Sequence, residues 1–191
     1  MEDLFSEKSR EFCEVLFHDP ELCKQLVKLL AGDEIEDFEI DTKYGMKLHD
    51  YPYGAHIYVP CVGCDDQEYD VRIMTATEYG AHFKRQYFDK MHQEMEYLLP
   101  DPDTPTSIVI MLCNYDVAKD ERIRHVSRRV CWNAPKIVLS RGIEIYISAT
   151  PETACDESAL GKLADYLING VPTDDITKRF HDGLTRLKSS K

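Results

Sequence analysis

The sequence predicts an α/β (α+β) domain in which a mixed central β-sheet is flanked by helices. Helix signals occur at both ends of the chain, strand patterns fill the middle, and a long helical pattern divides the strands into two groups. This order is typical of a sheet with helices packed against it. We expect one domain over residues 1–191, with N-terminal helices in 6–32, the sheet and the long helix in 38–149, and C-terminal helices in 156–188.

The N-terminal segment carries the signals of two helices. Phe12 and Leu16 have the i, i+4 spacing of an apolar helix face. The tripeptide at 19–21 supplies an aspartate N-cap, a proline at the first helical position and an acid in the first turn. Gly32 is expected to end this second helix. Its predicted apolar stripe consists of Leu22, Leu26 and Leu29.

The next part of the chain predicts strands followed by a helix. We expect a strand over 38–43, then a hairpin made by 56–62 and 67–74, because an acidic, glycine-bearing turn separates the two apolar runs. Apolar residues at helical spacing predict a long helix over 77–99. A proline-rich stretch follows it and stops the helix, since proline cannot continue one.

Three further strands are expected after this helix. The continuous apolar run at 107–113 is typical of a strand covered on both faces. The segment 122–132 alternates polar and apolar residues and predicts a neighbouring strand. In 142–148, isoleucines alternate with Glu144 and Tyr146, so the isoleucines should share one face and the two polar residues the other.

Two helices are expected to close the domain. The first covers SALGKLADYLING and ends at Gly170. Thr173, followed by two aspartates, is expected to cap the second helix. Its predicted inward side chains are Ile176, Phe180, Leu184 and Leu187.

The charge balance bears on the kind of partner. The chain has 35 acidic and 23 basic residues and a formal net charge of −12. Because affinity for nucleic acid depends mainly on Lys and Arg that neutralise phosphates, this balance disfavours DNA and favours a protein partner or a homo-oligomer. The candidate nucleic-acid-binding residues are Arg122, Arg124, Arg128, Arg129, Lys84 and Arg85.

The cysteines and the apolar runs indicate a cytoplasmic protein. Seven cysteines in a sequence without an export signal are expected to be free thiols. Cys61 and Cys64 form a CxxC, but a structural zinc site needs four ligands and no second pair is present. No apolar run is long enough to cross a bilayer, so no membrane association is expected.

Several segments together resemble a known nuclease family. They occur in its order and with its spacing, and they cover nearly the whole chain. The segments are FCEVLFHDPELCKQLVKLLAG, FEIDTKYG, HIYVPCVGCDDQEYDVRIM, FKRQYF, SIVIMLCNYDVAKDERIRHVSRRVCW, RGIEIYISAT and YLINGVPTDD. The chain resembles the PD-(D/E)XK nuclease superfamily, and within it the Rpn-like group of bacterial mobile-element proteins, the PD-(D/E)XK nuclease family transposases. The resemblance implies a restriction-endonuclease-like core.

The resemblance fails at the catalytic positions. The superfamily gathers an acid on the first hairpin strand, and a Glu and a Lys or Gln on the second, around magnesium ions. This sequence has Tyr58, Arg72 and Met74 there. An arginine is permanently charged and offers no lone pair to a metal. The resemblance therefore implies an inactive nuclease-like protein with no metal or other cofactor, in which Asp70 is expected to face the same side as Arg72 and to pair with it.

Two alternatives stay open. In the first, the chain is a Mg²⁺-dependent DNA endonuclease whose metal ligand has moved to Asp70, Asp65, Asp66 or Glu78. In the second, the chain is an unrelated cytosolic interaction domain and Arg72 is a surface residue on an edge strand.

Overall fold

The chain folds around one mixed β-sheet. The computed structural model describes residues 5, 9–51, 54–64, 66–78, 105–131 and 134–190, and gives backbone alone at 51, 129–131 and 134–141. The α-helices in these ranges are α1 (Ser9–His18), α2 (Pro20–Ala31), α3 (Ala159–Asn169) and α4 (Asp175–Ser189). The strands are β1 (Phe38–Ile40), β2 (Lys47–Tyr51), β3 (Gly54–Gly63), β4 (Glu68–Ala76), β5 (Thr106–Cys113), β6 (Arg124–Cys131) and β7 (Ala134–Ser148).

The strand order of the sheet is β1-β3-β4-β5-β7-β6, and β2 pairs with β3 beside β1. The pairs of β3 with β1, β2 and β4 are antiparallel, as is the pair of β6 with β7. The pairs β4–β5 and β5–β7 are parallel. The predicted mixed sheet flanked by helices is therefore confirmed.

The two faces of the sheet are different. On one face, which we call the helical face, alternate strand residues such as Val71, Ile73 and Ile145 join the main core with the four α-helices. The other face, which we call the site face, carries a smaller buried cluster that includes Met74 and Met111. Because side chains alternate along a strand, the polar residues Tyr58, Asp70 and Arg72 fall on the site face.

The start and end of α2 follow the sequence signals. The Asp19 carboxylate accepts a hydrogen bond from the Leu22 N–H at 3.1 Å, so the predicted N-cap is confirmed. Asp19 also accepts two hydrogen bonds from Arg179 of α4, at 2.6 and 2.7 Å. Gly32 ends the helix at φ 56°, a region that favours glycine. Leu29 lies at the margin of the buried stripe, whereas Leu30 is fully buried.

Two predicted boundaries were wrong, and one strand was missed. The strand expected over 38–43 ends at Ile40, because Asp41 forms a turn in which its carboxylate accepts from the Lys43 N–H and its carbonyl from the Gly45 N–H. The next strand, β2, was not predicted. The last helix is capped by Asp174 rather than by Thr173, because the Asp174 carboxylate and the Thr177 side chain form a reciprocal capping box.

Other elements agree with the sequence, within limits. The hairpin of β3 and β4 and the doubly covered strand β5 are confirmed. β7 begins eight residues before the predicted 142, since it pairs with β6 up to Ala134. The predicted long helix over 77–99 lies outside the described residues apart from its first two positions.

Gly161 in α3 provides a test of how tightly the segment just before this helix packs against its first turn. A Cβ added there would lie 1.9 Å from the Asp156 backbone oxygen. Helix propensity alone favours Ala over Gly by about 1 kcal/mol. We expect Gly161→Ala instead to lower the free energy of unfolding by about 1–3 kcal/mol, the range for overpacked sites.

Urea unfolding followed by circular dichroism measures this change. Gly183→Ala in α4 is the comparison, since its added Cβ would meet the Val15 side chain at 2.7 Å rather than backbone. The loss there should be smaller, because a side chain shifts more easily than a carbonyl. A gain in stability for Gly161→Ala would contradict the packing described above.

Candidate functional site

The strand register brings three site-face residues into one row. Tyr58 on β3 is the direct partner of Arg72 on β4 and, on its other side, of Lys47 on β2. Directly opposed residues have Cβ atoms about 4.5–5.5 Å apart. Lys47, Tyr58 and Arg72 are therefore neighbours across the sheet, in a row that runs from its exposed edge toward its centre.

The positions singled out by the family resemblance lie together. Asp70 and Met74 flank Arg72 at a spacing of two residues, so both share its face of β4. The resemblance predicts that positions 58, 70, 72 and 74 meet in one place, and the register brings them together. Their surroundings differ, since Met74 is fully buried in the apolar cluster with Val109 and Met111.

Tyr58 and Asp70 form a short hydrogen bond. The Tyr58 hydroxyl donates to Asp70 Oδ1 at 2.5 Å. Burial and the neighbouring Asp70 carboxylate raise the pKa of Tyr58 well above its usual value, although Arg72 acts in the opposite direction. The phenol therefore keeps its proton and continues to donate to the carboxylate at any pH near neutrality.

Arg72 is held by different partners. Its Nη1 donates to the Ser107 hydroxyl on β5 at 3.1 Å, and its guanidinium carbon lies 5.6 Å from the centre of the Tyr58 ring. The expected Asp70–Arg72 ion pair is not formed, because the carboxylate accepts from Tyr58 and the guanidinium donates to Ser107. The alternative of a surface arginine on an edge strand was also wrong, since Arg72 is 7% exposed and β4 lies between β3 and β5.

These residues do not fit a magnesium ion. Mg²⁺ takes oxygen ligands, usually including carboxylates, and position 72 instead holds a fixed positive charge. At a separation of about 5 Å and an effective dielectric constant of about 20, a guanidinium repels a divalent ion by on the order of 5 kcal/mol. Tyr58 and Met74 offer a neutral hydroxyl and a thioether, which are poor ligands for this ion.

The other acids do not replace the missing ligands. Glu144 on β7 also faces this side, and its carboxylate accepts from the Tyr146 hydroxyl at 2.7 Å. Val109 on β5 lies between Glu144 and Arg72, so these two residues are two strand spacings, or about 10 Å, apart. Asp66 is exposed in the β3–β4 turn, and Glu78 is exposed beyond the end of β4. At about 3.3 Å per residue, the strand from Asp70 to Ala76 alone spans about 20 Å, so Glu78 lies far from Asp70. Asp65 lies outside the described residues.

His56 is a buried titratable residue at one end of the site face. It is 5% exposed and its ring stacks on that of His49, with centroids 5.0 Å apart. Burial, and then the neighbouring His49 and Arg72, lower the pKa of His56 to about 4. The ring is therefore neutral at physiological pH, and it acts as a packed polar residue next to Arg72.

The arginine-rich strand has structural partners in this chain. Arg124 donates to the Ala31 carbonyl at the end of α2, Arg128 pairs with Glu34, and Arg122 lies 3.5 Å from Asp120. The first two contacts fix β6 against the end of α2 and the turn that follows it, and all three leave fewer cations for phosphates. The Arg129 side chain, Lys84 and Arg85 lie outside the described residues.

Two other groups of residues could in principle bind a metal ion, but their surroundings give little support for such a site. Asp116, Asp120 and His125 have ligand atoms within 4.8 Å of one another. The Asp116 carboxylate, however, already accepts the N–H groups of residues 118, 119 and 121 and so organises its own loop. In the CxxC, Cys61 is buried, which raises the pKa of its thiol to about 12, whereas Cys64 is exposed.

Sequence reasoning missed four residues of the site face. Lys47 lies on the unpredicted strand β2, and His56 carried no ligand spacing. Ser107 was assigned to an apolar strand without a role. Alternation placed Glu144 on a polar face, but only the pairing of β5 with β4 and β7 relates that face to Arg72.

Comparison with known proteins does not assign this chain to a family. The sequence matches no family model, and neither a curated protein nor a solved structure matches it. A separate finding concerns membranes: in the described ranges, none of the helices combines the length and apolar character needed to span one.

The low pKa of His56 predicts a pH-dependent contribution to stability. The unfolded chain binds a proton at this histidine near pH 6.5, but the native chain does so only near pH 4. The contribution is therefore complete above pH 6.5 and is lost as the pH falls toward 4. From pH 7 to 4.5, we expect the wild type to lose roughly 2–3 kcal/mol more than His56→Gln.

Urea unfolding at the two pH values measures the difference. The control is His181→Gln, because His181 is exposed on α4. This control keeps His56 and should therefore lose more stability than His56→Gln. Equal losses in the wild type and His56→Gln would contradict the assignment of the titration to His56.

Proposed function

We propose that this protein is a non-catalytic relative of the PD-(D/E)XK nucleases of the Rpn-like group and that it acts by binding a protein partner in the cytoplasm. One observation carries the proposal: a buried guanidinium, that of Arg72, lies where the family resemblance requires a metal-binding glutamate. A partner could be a related nuclease, which the binding would regulate, or a second copy of this chain.

The strand connections support the nuclease-like part of the proposal. β2, β3 and β4 form an antiparallel meander, and β5 then lies parallel to β4. A parallel neighbour requires a crossover connection, here between residues 76 and 106. The hairpin is the feature that the resemblance places around its catalytic positions, and the long helix predicted over 77–99 falls within this connection.

The electrostatics support the non-catalytic part. In the superfamily, metal ions activate water and neutralise charge on the scissile phosphate. Here the positive charge next to Tyr58 and Asp70 belongs to the Arg72 side chain. A guanidinium cannot bind and activate a water molecule as a metal ion does. The described acids, moreover, do not converge on one point of the site face.

The surface charges and the thiols support the choice of partner and location. The net charge of −12 opposes a polyanion, and Arg124 and Arg128 already bind groups of this chain. Six cysteines in the described residues are free thiols, which is the usual state in the reducing cytosol.

A plasmid-nicking assay tests the absence of catalysis. With supercoiled plasmid and millimolar Mg²⁺ or Mn²⁺, we expect no cutting above the protein-free control, because the site face lacks a set of metal ligands. Metal-dependent cutting that disappears in Asp70→Ala would overturn the proposal and establish the endonuclease with a relocated acid.

Restoring the family residues should create a metal site. The combined variant Tyr58→Asp, Arg72→Glu and Met74→Gln places carboxylates at positions 58 and 72, which are direct cross-strand partners, beside Asp70. We expect it to bind Mn²⁺ at least about tenfold more tightly than the wild type, a gain of about 1.4 kcal/mol. Isothermal titration calorimetry measures the affinity.

A matched variant separates metal ligation from general loosening of the site. Tyr58→Phe, Arg72→Gln and Met74→Leu changes the same three positions without adding a carboxylate. It removes the positive charge as well, so any gain it shows measures the loss of repulsion alone. Equal Mn²⁺ affinity in the two triple variants would count against the assignment of positions 58 and 72 as metal positions.

A further inference from the structure

The Arg72 guanidinium has more hydrogen-bond donors than acceptors around it. A guanidinium presents several N–H groups in a fixed fork. Among the residues that the structure describes, its one hydrogen-bond acceptor is the neutral hydroxyl of Ser107. Because Arg72 is 7% exposed, water reaches little of this charge. An anion that reached the guanidinium would be strongly stabilised, since a buried charge is costly without a partner.

Asp70 does not fill this role. Its carboxylate lies two residues from Arg72 on the same face, but it accepts the Tyr58 hydroxyl at 2.5 Å. The negative charge of Asp70 stabilises the Arg72 guanidinium electrostatically, but the two side chains form no hydrogen bond with each other. Within the described part of the chain, the N–H groups of Arg72 that do not reach Ser107 have no acceptor, and we expect them to bind a ligand.

Lys47 adds a second cation to the row. Its ammonium lies 5.8 Å from the centre of the Tyr58 ring, and the residue is exposed at the edge of the sheet. With two cations and one carboxylate, the row of Lys47, Tyr58, Arg72 and Asp70 is net positive in a strongly acidic chain. Such a local excess attracts small anions even though the chain as a whole repels polyanions.

The chemistry of the row favours one class of anion. A guanidinium fork binds oxyanions through two parallel hydrogen bonds. The burial of Arg72 favours a small ligand over a polymer, and a second cation on the row favours a doubly charged anion over a singly charged one. A phosphate group meets these conditions, whereas a lone carboxylate has half the charge.

We propose that Arg72 and Lys47 form a binding site for the phosphate group of a small molecule. The inference rests on the proposed function, in which the Arg72 guanidinium occupies the position of the metal site in a related nuclease. Arg72 makes the direct contact, Ser107 holds the guanidinium in position, and Lys47 raises the local positive potential at the exposed edge.

Titration with inorganic phosphate at pH 8 and constant ionic strength tests this site. Isothermal titration calorimetry should show saturable binding to the wild type and weaker binding of acetate. Arg72→Gln should weaken phosphate binding at least about tenfold, because it removes both the charge and the fork. Lys47→Gln should weaken it less. The matched control is Arg122→Gln, which loses the same charge at an exposed site and should bind as the wild type does.

Arg72→Lys keeps the test decisive if Arg72→Gln does not fold. It retains the charge but loses the two-point contact, so phosphate binding should weaken in a protein with a native circular dichroism spectrum. The inference is overturned if the wild type shows no saturable phosphate binding, if acetate binds as tightly as phosphate, or if the folded Arg72 variants bind phosphate as the wild type does. These results leave the proposed function standing when the nicking assay is negative. Metal-dependent cutting overturns the proposed function whatever the phosphate result.

Discussion

The arrangement of the site face depends on the register between β3 and β4. This register makes Tyr58 and Arg72 direct partners, and it allows the Tyr58 hydroxyl to reach Asp70 while the Tyr58 ring contacts the guanidinium. A shift by one residue would move all of these side chains to the opposite face of the sheet. The main core prevents such a shift, because Val71 and Ile73 would then leave the helical face.

The two faces of the sheet have different roles, since one provides most of the core and the other carries the candidate site. The helical face buries aliphatic side chains against four helices and supplies most of the hydrophobic stabilisation. The site face mixes a small apolar cluster with a charged and hydrogen-bonded row. A buried cation is tolerated there because Ser107, the Tyr58 ring and the nearby Asp70 charge each offset part of its desolvation.

The same physical reasoning limits what the arginines can do. An arginine is a phosphate-binding residue only when its donors are not already used. Arg124 donates to the end of α2 and Arg128 pairs with Glu34, and the Nε of Arg124 that has no partner is buried, out of reach of a phosphate. The segment that looked most basic in the sequence therefore has a structural role. Arg72 is isolated in the sequence, yet it is the arginine whose donors exceed its described acceptors on the site face.

The sequence alone determined the class of fold, most element positions and the faces of individual strands. Local signals, such as the Asp19 cap, Gly32 and the alternating isoleucines, act over a few residues and can be read directly. Strand pairing joins residues far apart in the chain, so the neighbours of Arg72 outside the predicted hairpin were decided by the tertiary structure alone. Ser107 lies 35 positions away in the chain, and only the parallel pairing of β5 with β4 brings its hydroxyl to the guanidinium.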